Sequence, residues 1–165
     1  MASVGLKTKP KQAVRLGGSA VERLVLEGFL PYRLSILSNR VSRAIAARYA
    51  DAFDLTIPEW RVIAVLGRRP ELTAKEVAEA TEMDKVAVSR AVARLTAKRR
   101  IAAESDPQDA RRQMLSLTAS GNALHAKIAP VALACEARLL NVLNASERAT
   151  LDQLIDRLLV AAKSI

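Results

Sequence analysis

At 165 residues with half of them hydrophobic, the chain is long enough for one buried core and too short for two ordinary domains. Its formal net charge of +9, from 26 Lys and Arg against 17 Asp and Glu, asks for a polyanionic partner. A nucleic acid suits that charge better than a membrane, because no apolar run approaches the roughly 20 residues of a bilayer span.

The single cysteine, Cys135, excludes an internal disulfide, and neither it nor the single histidine, His125, has companions at metal-ligand spacing. Both read as structural residues, His125 at most as part of a pocket. No nucleophile with a base partner and no phosphate-cradling glycine loop is present, so neither an enzyme nor a cofactor is expected. The amino terminus lacks the apolar stretch of a secretory signal, so a cytoplasmic location is expected.

Residues 1–18 carry Lys7, Lys9, Lys11 and Arg15 without an acidic residue and read as a basic arm. Ser19 and Glu22 have capping-box spacing, and after Gly28 and Pro31 apolar positions at Leu34, Leu37, Val41, Ile45 and Tyr49 predict one or two helices. Thr56 and Glu59 form a second box with Pro58 in the first turn, opening a helix over about 57–67. Thr73 and Glu76 open a third short helix. After a break at 81–84 a further helix runs over about 85–98, capped by Asp84. From Ile101 to Leu117 two short extended segments flank a polar turn, which predicts a hairpin. After Thr118 a helical pattern returns, bent at Pro130, and Ser146 is expected to cap a last helix that ends near Lys163.

The informative stretch is 73–118: short helix, tight turn, second helix, charged hairpin, the order of a winged helix-turn-helix. In the second helix Val88, Ala91, Val92 and Leu95 share one face and pack inward. At about 100° per residue, Val86, Arg90, Ala93, Arg94 and Ala97 point the other way, with Lys85, Ala87 and Ser89 near the amino-terminal rim. Small residues let such a helix sink into a major groove. Arg90 can bond guanine or a phosphate, Val86 or Ala87 can touch a thymine methyl, and Lys85 and Ser89 suit phosphates. Between 84 and 114 eight Lys and Arg stand against four Asp and Glu, a net +4. In the hairpin Asp106 and Asp109 can pair with arginines or accept turn amides, while Arg111 and Arg112 form a probe suited to a narrow minor groove.

The runs Leu72–Ala80 and Asp84–Leu95, with the wing Asp106–Arg112 leading into Leu115–Gly121, resemble the MarR family of multiple-antibiotic-resistance-type regulators over about residues 30–160. The resemblance implies a mainly α fold with a small β-hairpin wing. A winged helix-turn-helix DNA-binding domain at 53–118 would be joined to dimerisation helices at 19–52 and 119–163. It further implies a homodimer on a pseudo-palindromic double-stranded DNA operator, with recognition helices on the order of 34 Å apart. The long apolar helical segments at both ends independently permit such a dimer. The family commonly has a glycine where this chain reads Lys98-Arg-Arg-Ile101, so Arg99 must take a left-handed conformation or the helix must end differently.

Family members often bind a small phenolic or carboxylic effector, and here Tyr32, Ser38, Arg43, Trp60 and Arg61 are the candidates to line its cleft. Trp60 is equally suited to be a core anchor, and Arg43 or Arg61 to be an interface ion-pair partner. The function expected is therefore a sequence-specific transcriptional repressor released by an aromatic or carboxylic effector. The alternative is a winged-helix scaffold without operator specificity, which would favour an acidic or bulky recognition face.

Overall fold

The computed structural model describes residues 23–106 and 109–165, with Ala110 and Arg111 described by their backbone alone. The basic arm at 1–18, the Ser19–Glu22 box and the two turn residues Pro107 and Gln108 lie outside the described residues. The chain divides into two units at Ile36/Leu37. In the first, a 3-10 turn at Leu26–Gly28 precedes the start of α1 (Leu30–Ala46), with Pro31 in its first turn, and Leu24, Val25, Phe29, Tyr32 and Leu34 are exposed.

The second unit contains the rest of α1, then α2 (Ala50–Phe53), α3 (Ile57–Arg68), α4 (Ala74–Thr81), α5 (Lys85–Ala97), β1 (Ile101–Asp106), β2 (Asp109–Leu117), α6 (Ala119–Leu140) and α7 (Ala145–Ala162). Each helix of the winged region begins where a polar side chain satisfies its orphan amides. Thr56 and Glu59 close a full capping box on α3, Thr73 and Glu76 close one on α4, and Asp84 accepts from the amides of Val86 and Ala87 on α5. Between α4 and α5 the chain reverses through Glu82, whose φ of 51° is left-handed.

Packing follows the apolar stripes. Val62, Ile63 and Leu66 of α3, Val77 and Ala78 of α4, and Val88, Ala91 and Leu95 of α5 form one core with Ile101 and Leu115 of the hairpin and Leu124 and Ile128 of α6. The hairpin pairs antiparallel with Ile101 opposite Leu117 and Ser105 opposite Gln113, and its register shifts beyond Ser105. A third extended residue joins it, since the amide and carbonyl of Leu72 exchange hydrogen bonds of 3.3 and 2.8 Å with those of Leu115. Only two extended segments are visible in the sequence, because a single-residue bridge leaves no period-2 pattern.

Helix α5 ends with Arg99 at φ 54°. The amide of Arg100 reaches the carbonyl of Leu95 at 2.8 Å and that of Arg99 reaches Thr96 at 2.9 Å, which together make a Schellman motif without glycine. The exposed carbonyls that follow are taken up by the start of α6: Thr118 Oγ1 donates to Arg99 and Arg100, and Ser120 Oγ to Arg99. Gly121 sits directly over the Arg100 carbonyl oxygen, where a Cβ would overlap it.

Helix α6 continues through Pro130 from Ala119 to Leu140. One expectation about the carboxy-terminal helices changes. The cap of α7 is Asn144 rather than Ser146, because Asn144 Oδ1 accepts from the Glu147 amide at 3.0 Å while the Glu147 carboxylate accepts from the Asn144 amide at 2.8 Å. Ser146 lies within the first turn, where its carbonyl accepts from Thr150 Oγ1. Beyond Ile128 no residue of α6 is buried, and none in α7.

Candidate nucleic-acid interface

The face of α5 opposite the core is open. Lys85, Val86, Ser89 and Arg90 are exposed on its first two turns and Ala87 is half-buried among them. Helix α5 itself contains no acidic residue, and the Asp84 carboxylate is occupied by amides of its first turn. This leaves a cationic surface with little side-chain bulk beyond Val86, the shape that a helix entering a major groove requires.

Arg94 departs from the expectation. Its Cα lies one turn beyond Arg90 on the same stripe, yet its Nε is 3.3 Å from Glu59 Oε1 on α3. Although half of the side chain stays in solvent, the guanidinium is held by an anion, so Arg94 is not free on the outer face. Glu59 is the buried charged residue among those described, with its side chain 1% exposed. Its Oε2 accepts from both the amide and hydroxyl of Thr56 at 2.7 Å, and its Oε1 faces Arg94 and, at 3.4 Å, Lys98 Nζ. Burial pushes the Glu59 carboxyl up, but the two Thr56 hydrogen bonds with the charges of Lys98 and Arg94 outweigh it and leave the group below its ordinary value. Lys98 also pairs with Asp54 Oδ2 at 3.0 Å and donates to the Asp54 carbonyl, which ties the end of α5 to the end of α2. The sequence showed Glu59 only as a cap residue; nothing in its spacing from Arg94 and Lys98 indicates a contact.

The hairpin arginines also need correction. Both sit on β2 rather than in the turn, and Arg112 Nη1 is 3.7 Å from Asp106 Oδ2. Arg112 lines an open groove of roughly 750 Å³ between the hairpin and the start of α4, shared with Thr73, Lys75, Glu76 and Gln113. There its charge helps hold the Glu76 carboxyl low, after the larger effect of the Thr73 side chain and amide. Arg112 is thus engaged within the wing rather than a free probe. For Arg111 only its place on β2 is described.

The effector candidates separate. Tyr32 belongs to the first unit and is exposed there. Ser38 and Arg43 are exposed on α1, and it is the intervening Ser42 whose hydroxyl accepts from Arg61 Nη2 at 3.3 Å. Trp60 is packed against the core, its ring centroid 5.9 Å from both Tyr49 and His125, the latter nearly parallel at 24°. Gly67 makes room for that histidine, since a Cβ there would approach the imidazole to 2.7 Å. The Tyr49 hydroxyl is buried without a hydrogen-bond partner among the described residues. Burial pushes it up to about 12 against the opposing charge of Arg61. A lone unsatisfied hydroxyl of this kind marks a place where a polar group is wanted, and only the packed structure reveals it.

Residues 53–112, from the end of α2 into the second strand of the wing, match the MarR family model. Over this stretch, about a third of its length, the chain is similar to the MarR family. The transcriptional regulator HosA of Escherichia coli O111:H- is 27% identical over 108 residues, spanning 66% of this chain and 80% of its own. The PcaV transcriptional regulator of Streptomyces coelicolor, solved in complex with its natural ligand, superposes with a TM-score of 0.67 at 26% identity, over 86% of this chain and 99% of that one. Bordetella bronchiseptica BpsR, whose DNA binding is regulated by 6-hydroxynicotinic acid, shares the fold with a TM-score of 0.72 at 24% identity, over 82% and 96% of the two chains. The chain thus has a winged helix-turn-helix fold like that of these regulators, mostly helical with an antiparallel hairpin. Among the described residues no single helix is long and apolar enough to cross a membrane.

Proposed function

We propose that this protein is a MarR-type regulator, a cytoplasmic homodimer that binds a pseudo-palindromic operator and represses transcription until a small aromatic or carboxylic effector releases it. The observation that carries the reading is the open cationic face of α5, with Lys85, Val86, Ser89 and Arg90 exposed beside a hairpin. Arg90 reads a base edge, Val86 and Ala87 meet thymine methyls, and Lys85 and Ser89 hold phosphates, while Arg111 supplies the wing contact. Residues 53–118 act as the DNA-binding domain, and 19–52 with 119–163 as the dimerisation region. The exposed apolar side chains of α6 and α7, with Leu133 at 63% and Val142 at 83%, support the second part, since a lone chain leaves them in water.

For the effector, the guanidinium of Arg61 suits a carboxylate, the Trp60 ring an aromatic face, and the unsatisfied Tyr49 hydroxyl a polar substituent. The aromatic acid that regulates BpsR has this chemistry. Anisotropy titrations compare the DNA upstream of the chain's own coding region with a random duplex at several salt concentrations. A salt-dependent preference for the upstream DNA is expected, and equal binding to both would sink the operator reading. Within that assay Arg90→Ala shifts base preference, costing roughly 1–3 kcal/mol at one position, whereas Arg111→Ala weakens all sequences alike. A thermal-shift screen of aromatic acids, repeated on Arg61→Ala, tests the effector: the stabilisation by a hit must vanish in the variant.

A further inference from the structure

We infer that Glu59 is a positioning residue for DNA binding: it holds Arg94 off the phosphates and thereby sets how many cations each recognition helix brings to the duplex. The inference rests on the reading of α5 as the recognition helix. Arg94 follows Arg90 by four residues, so its Cα lies on the stripe that carries the exposed cations. An unpaired arginine there reaches a backbone phosphate as readily as a base. In this chain the guanidinium instead turns to Glu59 Oε1 on α3, 3.3 Å away, with half of its side chain still in solvent.

The carboxylate is committed by its surroundings. Its side chain is only 1% exposed, its other oxygen is filled by the Thr56 amide and hydroxyl, and Oε1 is left with Arg94 and Lys98 alone. A buried anion with two cationic partners holds both, because losing either leaves charge uncompensated in a poorly solvated place. Lys98 has a second anchor in Asp54, whereas Arg94 has no other ion-pair partner among the described residues. Removing the charge of Glu59 therefore frees Arg94 and leaves Lys98 in place. A glutamine at this position still completes the capping box, so E59Q separates the charge from the cap.

The test measures the salt dependence of binding to a fluorescein-labelled random-sequence duplex for wild type, E59Q, R94M and the double variant E59Q/R94M, each checked for folding by thermal melting. E59Q is expected to bind tighter at low salt with a slope of log K against log salt steeper by about 0.9 per recognition helix, the increment of one added phosphate contact. R94M is expected to keep the wild-type slope, and the double variant to return to it. A purely structural role for Glu59 would lower the melting temperature without steepening the slope. An E59Q slope equal to wild type overturns the inference, as does a shallower slope in R94M, which would show Arg94 already on a phosphate; R94M decides the matter even if E59Q fails to fold. A wild-type chain with no salt-dependent binding at all defeats the DNA reading itself, and the inference with it.

Discussion

Arg99 shows how a residue can be out of place and still be accommodated. Its φ of 54° is a region that a Cβ disfavours, by about 1 kcal/mol or more, yet the Schellman hydrogen bonds and the Thr118 and Ser120 hydroxyls on its carbonyl require that conformation. Because those interactions use only the backbone of Arg99, Arg99→Gly should stabilise the fold by roughly 1 kcal/mol, read as a higher urea midpoint with an unchanged m-value. Gly121 is the converse case. A methyl there meets the Arg100 carbonyl oxygen, a backbone atom that cannot swing aside, so Gly121→Ala should cost about 3 kcal/mol or more in the same measurement. Glu59 adds a pH dependence. Its carboxyl is held below the usual 4.5, so the folded state binds fewer protons there than the unfolded one. The stabilisation is present above that value and is lost as pH falls through the lower folded value. Stability curves of wild type and E59Q should therefore stand a constant distance apart from neutrality down to about pH 4.5 and converge below it; curves that stay parallel through the acid range would show that the carboxylate's charge does not stabilise the fold.

At the scale of elements, the starts of α3, α4, α5 and α7 are fixed by short-range chemistry. In three of them the cap residue and the glutamate three places on satisfy each other's amides, and in the fourth an aspartate does so alone. Thr73→Ala should therefore cost about 1 kcal/mol of global stability, and it should also loosen the groove that Arg112 and Glu76 share, which amide exchange at Val77 would report. The wing depends on more distant partners. Its strands are long enough to pair with each other, but besides the packing of Ile101 and Leu115 in the core their hydrogen-bonded link to the domain comes from Leu72, forty-odd residues before Leu115 in the chain. That pairing is a reason to treat the start of α4 and the hairpin as one body, so that a wing arginine and the Thr73–Glu76 cap share electrostatics.

For the whole molecule, apolar surface and charge pull in the same functional direction. Leu154, Ile155, Leu158 and Leu159 recur at helical spacing along α7 and all stay exposed in one chain, a face that suits the second subunit proposed above. Leu158→Asp should weaken self-association by at least about tenfold in sedimentation experiments, since a desolvated unpaired carboxylate costs well over the roughly 1.4 kcal/mol that a decade requires. DNA affinity should fall with it, because one winged domain then binds without its symmetry mate. A monomeric wild-type protein would remove the basis for both expectations.

Helix order, the caps of α3, α4 and α5, the hairpin and the inward stripe of Val88, Ala91, Val92 and Leu95 could all be read from the chain alone. Each depends on residues within a few positions of one another, where periodicity and capping chemistry act without help from the rest of the fold. The destinations of Arg94, Arg112 and Trp60 could not. A long charged or aromatic side chain has several places to go, and which it takes depends on whether a buried Glu59, a facing Asp106 or the rings of Tyr49 and His125 have been carried to it by packing across tens of residues. Spacing along one helix says which face a Cα occupies, while the electrostatics of the folded neighbourhood decide where its cation ends.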